Sequence, residues 1–253
     1  MGREAEIKEF IKKRYGAIAA QDRCCCASSC SWDTPEGARA LGYMEQELSK
    51  IPPEAAALGL GCGNPTALAE LKKGEVVLDL GSGGGVDAFL AANRVGPNGR
   101  VIGVDMTDEM LARAGQTAER HSYANVDFRR GEIENLPVSD ASVDVIISNC
   151  VINLSCDKLR VFKEAFRVLK PGGRILISDL VTEGEMPEDV RKSFDAWAGC
   201  IAGALERTEY LDTIKMAGFI GVAIVNQHTY TQADADERIT GKILSVQVKA
   251  VKP

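Results

Sequence analysis

The residues best suited to chemistry in this 253-residue chain are its cysteines, of which there are 8 against 2 histidines. They are Cys24, Cys25, Cys26, Cys30, Cys62, Cys150, Cys156 and Cys200. In a reducing compartment, cysteines in such number are metal ligands, redox groups or small buried hydrophobes rather than a disulfide framework. With so few histidines, a metal site would consist almost entirely of thiolates. The counts therefore predict thiol chemistry and argue against catalysis by imidazole.

A glycine-rich loop is the second chemical feature. The segment VVLDLGSGGGVD places Gly81, Gly83 and Gly85 shortly after Asp79. Glycines at a strand-to-helix turn allow the backbone to approach a ligand closely at the helix N-terminus. A dinucleotide-binding fingerprint would have glycine at position 86, where this chain has Val86. The G-x-G-x-G spacing therefore favours a ligand that presents an amino acid end.

An acidic residue follows at the position that such a loop requires. Asp105 ends the next apolar run, 24 residues after Gly81. A carboxylate there can accept both ribose hydroxyls of an adenosine moiety. The loop alone could also be a tight turn that binds nothing, and Asp105 makes that alternative weaker.

The elements that must position these residues alternate along the chain. Apolar runs predict strands over 76–81, 100–106, 126–131, 143–149 and 173–180, and helical spacing predicts helices over 86–95, 107–121 and 158–170. Near-continuous apolar strands that alternate with helices predict a parallel sheet covered on both faces, a doubly wound α/β fold. Ligands of this fold class bind outside the carboxyl ends of the strands. Cys150, which follows the fourth strand, is therefore expected at the rim of the active site.

The flanking segments complete a predicted three-part organisation. Residues 1–66 hold an amphipathic helix (4–20) and a cysteine-rich segment, residues 67–182 form the ligand-binding core, and residues 183–253 form a cap and complete the sheet. In the last part, the patterns predict helices over 188–205 and 208–217 and strands over 219–230 and 242–251. Cys62 and Cys200 can reach the rim only if these flanks fold over the core.

Charge and hydropathy narrow the choice of partners. The chain carries 30 basic and 36 acidic residues, a net charge of −6, and has no basic block. This balance argues against nucleic acid or an anionic membrane as the main partner. No apolar run reaches membrane-spanning length, and the charged N-terminus does not fit a signal peptide. The composition predicts a cytoplasmic protein.

Residues 70–180 resemble the class I S-adenosylmethionine-dependent methyltransferases, through the glycine loop, Asp105, the segment GEIENLPV and the segment LKPGGR. The resemblance implies a Rossmann-like core over 67–182 that binds S-adenosylmethionine. It implies that Asp79, Gly81, Ser82 and Gly83 face the methionine end of this cofactor, that Asp105 and Met106 contact ribose and adenine, and that Glu132 and Ile133 flank the adenine ring. Asn149, at the end of the fourth strand, completes the implied cofactor site.

A more specific resemblance runs from about residue 10 to the C-terminus. The segments GLGCGNP, VIGVDMTDEM, SNCVINLSCDK, FRVLKPGGR and WAGCIAGAL look like those of arsenite S-adenosylmethionine methyltransferases, in the same order. The resemblance implies that Cys62, Cys150 and Cys200 bind trivalent arsenic. It also implies that an N-terminal cysteine pairs with Cys62 as a disulfide during turnover. The choice stays open among Cys24, Cys25, Cys26 and Cys30, with a preference for Cys30.

The implied chemistry agrees with the composition. Trivalent arsenic is a soft centre with a lone pair, and three thiolates are soft donors that can hold it. An arsenic nucleophile has no proton to remove, so no general base is needed, and the enzyme contributes proximity and alignment. Arsenic is oxidised as it accepts a methyl group, and a dithiol that becomes a disulfide returns the electrons. We expect arsenite or its thiol conjugates as substrate, mono- and dimethylated products, a thioredoxin- or glutathione-type reductant and a monomer.

Two other functions compete for the same residues. Another small-molecule methyltransferase would need an acid or base, for which His121 and His228 are poorly placed. A thiolate metal-binding protein could use Cys26 and Cys30 together with Cys24 or Cys62, but closed zinc sites usually show two separated cysteine pairs. Cys156 fits a small buried hydrophobe.

Overall fold

The computed structural model describes residues 2–20, 41–58, 61–230, 238–239 and 241–253. Its strands are β1 (Val76–Leu80), β2 (Arg100–Asp105), β3 (Val126–Arg130), β4 (Val143–Asn149), β5 (Leu169–Thr182), β6 (Ile220–Thr229) and β7 (Ile243–Val251). Its helices are α1 (Arg3–Ala20), α2 (Glu45–Leu48), α3 (Pro53–Ala56), α4 (Pro65–Leu68), α5 (Val86–Val95), α6 (Asp108–Arg120), α7 (Lys158–Val168), α8 (Glu188–Lys192), α9 (Phe194–Ala198) and α10 (Arg207–Met216), with a 3₁₀ turn at Ile152–Leu154.

These strands form one sheet in the order β3-β2-β1-β4-β5-β7-β6. Strands β1 to β5 run parallel to one another, whereas β7 is antiparallel to both β5 and β6. The predicted doubly wound α/β fold is confirmed, and the C-terminal strands complete the sheet as expected. Because β1, β2 and β4 are parallel neighbours, their carboxyl ends meet at one edge, where the glycine loop, Asp105 and Asn149 lie.

Alternation along the strands builds a core on each face of the sheet. Successive strand residues point to opposite faces, so Val77 and Leu78 are both buried but belong to different clusters. Leu78 packs in the cluster that contains Phe162 of α7, and Val77 packs in the cluster that contains Ala88 of α5. The sheet is thus covered by helices on both sides.

The N-terminal helix packs across the carboxyl edge of the sheet. Ile7, Ile11 and Ile18 of α1 are buried, in agreement with the predicted amphipathic pattern. Ile7 and Ile11 cluster with Ala198 of α9, and Ile18 clusters with Met110 of α6. The helix therefore lies over the core and beside the cap.

The structure differs from two predicted elements. The helix predicted over 188–205 consists of α8 and α9, because Ser193 is extended between them and its hydroxyl caps α9 by accepting the Ala196 N–H. Strand β5 is longer than predicted at both ends, because Leu169 pairs with Val143 of β4 and Thr182 pairs with Ile243 of β7.

None of the helices in the described part of the chain is both long and apolar enough to cross a membrane.

Candidate active site

The glycine loop turns sharply between β1 and α5. Gly81, Gly83 and Gly85 have φ angles of 66°, 49° and 92°, in the left-handed region that favours glycine. A side chain at Gly81 would also overlap Val151. The loop therefore needs glycine for both conformation and space, and it directs its backbone towards a cleft at the carboxyl edge of the sheet.

Asp105, at the end of β2, is hydrogen-bonded to the glycine loop. Its carboxylate accepts the N–H of Gly83 at 3.0 Å and the N–H of Thr107 at 2.8 Å. Burial nevertheless raises the pKa of Asp105, because desolvation outweighs these two hydrogen bonds. Met106, Glu132 and Ile133 line the same cleft. The structure thus brings together the residues predicted for ribose and adenine.

The cleft also contains two buried acidic residues, Asp79 and Asp87. Asp79 is 2% exposed, and its Oδ2 has no hydrogen-bond partner among the described residues. Burial, with the nearby charges of Asp87 and Asp105, raises its pKa well above the usual range. Burial likewise raises the pKa of Asp87 to about 6, although Asn149 and Tyr43 donate hydrogen bonds to this carboxylate. These two residues are suited to a ligand that carries positive charge.

Tyr43, Lys8 and Asp87 are among the cleft residues that were not predicted from the sequence. Tyr43 donates its hydroxyl to Asp87 at 2.8 Å, and Lys8 of α1 contacts Glu132 at 3.0 Å and lines the cleft. Asp87 could have been found, since it lies in the first turn of the helix after the glycine loop. Tyr43 and Lys8 come from segments outside the predicted core and carried no local signal.

Three of the predicted cysteines converge beside this cleft. Cys62, Cys150 and Cys200 are 2%, 7% and 5% exposed and pack in one cluster. The sulfur atoms of Cys62 and Cys150 are bonded as a disulfide, with a Cα–Cα distance of 5.8 Å. The Cys200 thiol donates to the Cys150 carbonyl oxygen at 2.7 Å. Residues that are far apart in sequence thus form a single thiol site.

Cys62 is bonded to Cys150, and the Cys62 N–H donates to Asn149, the residue before Cys150. The implied pairing of Cys62 with an N-terminal cysteine during turnover stays a prediction. Cys24, Cys25, Cys26 and Cys30 lie outside the described residues. Cys156, expected to be buried, is exposed. It directly precedes Asp157, the N-cap of α7, and lies outside the thiol site.

Backbone conformation also marks the thiol site. Cys150 and Cys200 have φ angles of 59° and 63°, in the left-handed region that residues with side chains rarely adopt. Such conformations cost roughly 1–3 kcal/mol each and concentrate at functional sites. Two of the three cysteines that the resemblance assigned to arsenic are therefore held in unfavourable conformations.

A buried carboxylate completes the thiol site. Asp179 has a carboxylate oxygen within 4.8 Å of the sulfur atoms of Cys62 and Cys150. Tyr210 donates its hydroxyl to Asp179 at 3.0 Å. Burial raises the pKa of Asp179 to about 7, although Lys158 and this hydroxyl oppose the change. Asp179 was not predicted from the sequence, although its place near the end of the fifth predicted strand was a usable signal.

The histidines lie away from the cleft. His121 follows α6 and contacts Glu54 at 3.2 Å, and His228 is exposed on strand β6. Neither residue lines the cleft. A methyltransferase that deprotonates its substrate with histidine is therefore not supported.

Comparison with known proteins assigns the chain. Residues 71–218 match the family model described as "Methyltransferase domain". The arsenite methyltransferase of Halobacterium salinarum is 43% identical over 98% of this chain and 67% of its own length. The human arsenite methyltransferase is 32% identical over 94% of this chain and 65% of its own length. The chain belongs to the arsenite methyltransferase family. It spans about two thirds of the length of these curated relatives.

A solved structure agrees with this assignment. The arsenic(III) S-adenosylmethionine methyltransferase of Chlamydomonas reinhardtii has a TM-score of 0.74 and 36% sequence identity to this chain. The match covers 82% of this chain and 72% of the algal chain. S-adenosylmethionine is therefore the cofactor of the family to which this chain belongs.

Proposed function

We propose that this chain transfers methyl groups from S-adenosylmethionine to trivalent arsenic held by the thiolates of Cys62, Cys150 and Cys200. The observation that carries the proposal is the convergence of these three cysteines at the carboxyl edge of the sheet, beside the glycine-loop cleft. Arsenic(III) prefers soft donors, and three thiolates match its usual coordination. Arsenite or its thiol conjugates are the substrate.

The groups that line the cleft suit the chemistry of the cofactor. The buried Asp79 oxygen that lacks a described partner is suited to an ammonium group, and Asp105 is suited to ribose hydroxyls. We assign Gly81, Ser82 and Gly83 to the methionine end, Met106 with Asp105 to ribose and adenine, and Glu132 and Ile133 to the adenine ring, and the lining of one cleft by all of them supports this. When bound, S-adenosylmethionine supplies an activated methyl group on a sulfonium.

The bonded sulfur pair supports a way to balance electrons. Arsenic gives its lone pair to the new carbon bond and becomes formally pentavalent. Two of its thiolate ligands then leave as a disulfide, which returns two electrons to arsenic and restores the trivalent state. Cys62 and Cys150, which are bonded in the structure, are suited to this step.

The rest of the cycle follows from this balance. A cysteine of the N-terminal segment, with Cys30 preferred over Cys24, Cys25 and Cys26, exchanges with the Cys62 disulfide, and a thioredoxin- or glutathione-type reductant regenerates the thiols. The products are mono- and dimethylated arsenicals, and the role is detoxification by a cytoplasmic monomer. The segments 1–66, 67–182 and 183–253 supply the redox cysteines, the cofactor site and the cap.

The direct test is product analysis. Purified protein, S-adenosylmethionine, arsenite and glutathione are incubated, and the arsenic species are separated by chromatography with element-specific detection. We expect a monomethylated product, followed by a dimethylated one. Calorimetry measures cofactor binding in parallel. The absence of methylated arsenic from protein that binds the cofactor would contradict the proposal.

A further inference from the structure

Asn149 lies between the two halves of the active site. Its Oδ1 accepts the Cys62 N–H at 2.9 Å, and its Nδ2 donates to the Gly63 carbonyl oxygen at 2.6 Å. One amide side chain therefore holds the backbone on both sides of the Cys62 side chain. Asn149 also directly precedes Cys150 in the chain. The same residue is therefore linked to Cys150 through the backbone and to the Cys62 loop through its side chain.

The other contacts of this amide lead to the cofactor cleft. Nδ2 of Asn149 also lies 3.0 Å from Asp87 Oδ2 and 2.9 Å from the Tyr43 hydroxyl. Two amide hydrogens are thus shared among three protein acceptors, counting the Gly63 carbonyl, and Oδ1 already accepts a backbone N–H. Both amide hydrogens of Asn149 are therefore engaged within the protein. Asn149 also lines the cleft, and its contact with the cofactor stays a prediction.

The glycines around Cys62 fit the same arrangement. A β-carbon on Gly61 would overlap the Asn149 amide, and one on Gly63 would overlap the Ser178 hydroxyl. The backbone of the GLGCGNP segment thus approaches β4 and β5 more closely than side chains would allow. On the other side, the Cys150 N–H donates to the Ser178 carbonyl oxygen at 2.8 Å, which fixes Cys150 to β5.

We propose that Asn149 is a positioning residue whose amide holds the Cys62 loop against Cys150 and links this cysteine pair to Asp87 in the cofactor cleft. Its importance for methyl transfer rests on the proposed function. Its immediate effect does not depend on arsenic. By holding the two cysteines together, Asn149 raises the effective concentration of one sulfur atom at the other.

The test is the redox equilibrium of this pair with glutathione. The protein dithiol and one glutathione disulfide give the protein disulfide and two glutathione thiols, so two electrons and two protons pass to glutathione. Differential alkylation followed by peptide mass spectrometry measures the Cys62–Cys150 pair separately from the other cysteines. We expect Asn149→Ala to lower the equilibrium constant by about tenfold, as the loss of hydrogen bonds that hold the loop implies.

A second variant disturbs the contact between Asn149 and the Cys62 loop by a change in the loop. Gly61→Ala removes no hydrogen-bonding group, but its methyl group displaces the Asn149 amide, and we expect a similar loss. Asn153→Ala is the matched control, because Asn153 is a buried asparagine that donates to the Leu180 carbonyl oxygen and not to the Cys62 loop. Asn153→Ala should leave the equilibrium within about twofold of the wild type. Thermal unfolding establishes that each variant is folded.

The outcomes separate the two proposals. If folded Asn149→Ala or Gly61→Ala keeps the wild-type glutathione equilibrium, the positioning role is wrong. If Asn149→Ala changes only the affinity for S-adenosylmethionine, Asn149 is a cofactor ligand instead. If the variants change the glutathione equilibrium as expected but wild-type protein methylates no arsenic, the proposed function fails and the positioning role stands.

Discussion

The cofactor cleft and the thiol site share one edge of the sheet but are assembled differently. The key groups of the cleft come from residues 79–87 and 105–107, where two adjacent parallel strands end. The thiol site joins Cys62 to Cys150 across a sequence separation of 88 residues and adds Cys200 from the cap. The cleft thus depends mainly on local loop geometry, with Tyr43 and Lys8 added from the N-terminal segment, whereas the thiol site depends entirely on long-range packing. Changes at the thiol site should therefore affect arsenic and leave the cofactor bound.

The largest expected effect separates the two sites. Cys200→Ser replaces a soft sulfur donor by a hard oxygen at a buried position of the thiol site. We expect arsenite methylation to fall by at least about a hundredfold, because misplacement of the reacting atom is costly. The affinity for S-adenosylmethionine should stay within about twofold of the wild type. Product chromatography measures the first quantity and calorimetry the second.

Cys156→Ser is the matched control for this experiment. Cys156 is exposed and outside the thiol site, so the same chemical change there should leave methylation unaffected. Full activity of Cys200→Ser, or an equal loss in both variants, would contradict the separation of the two sites.

A second effect belongs to the cofactor cleft. A cationic ligand favours ionised carboxylates, and the pKa of Asp87 is about 6 while that of Asp79 lies well above its usual range. Binding must therefore displace a proton at low pH, so the affinity for S-adenosylmethionine should decrease as the pH falls through 6. We expect about a tenfold decrease for each pH unit below this pKa. Calorimetry between pH 8 and pH 5 measures it.

Asp87→Asn tests the cause of this pH dependence. The amide keeps the size of the side chain but cannot ionise, so the variant should bind more weakly at pH 8 and vary less with pH. An unchanged pH profile in Asp87→Asn would show that another group controls the affinity.

The contrast between local and long-range contacts also explains which features could be predicted from the sequence. The strands of the core and the glycine loop follow from apolar runs, turn residues and the carboxylate of Asp105, all of them local signals. Asp79, Asp105 and Ile133 line one cleft as expected, because the carboxyl ends of parallel strands meet at one edge.

Long-range contacts account for what could not be predicted. Tyr43 contacts Asp87 across 44 residues, and no spacing rule connects them. Cys156 shows the opposite case: its sequence position is close to that of Cys150, yet it is exposed. Burial of a single cysteine depends on how the chain turns after β4, which the residue type does not reveal.

The smallest predicted effect concerns the folding stability that is lost by burying Asp179 in the thiol site. The folded-state pKa of Asp179 is about 7, above its usual value of 3.8, so the folded protein keeps a proton that the unfolded chain has lost. The stabilising contribution is complete below the unfolded-state pKa and is lost as the pH rises towards 7. In Asp179→Asn this loss is absent. The advantage of the variant in free energy of unfolding should therefore grow by about 1 kcal/mol between pH 5.5 and pH 6.5. Urea denaturation at both values measures it.

Asp212→Asn is the control for Asp179→Asn, because Asp212 carries the same group on an exposed face of α10, beside Lys215. The difference in unfolding free energy between Asp212→Asn and the wild type should stay the same at the two pH values, since surface charges contribute little to stability. If Asp179→Asn shows no pH-dependent gain, then the Asp179 carboxyl group does not take up a proton on folding. A gain in stability combined with a loss of arsenite binding would instead indicate that the thiol site retains a destabilising carboxylate because its function requires it. Such a trade of stability for activity is common at active sites. In that case the thiol site and the cofactor cleft would differ in their contribution to folding stability as well as in their assembly.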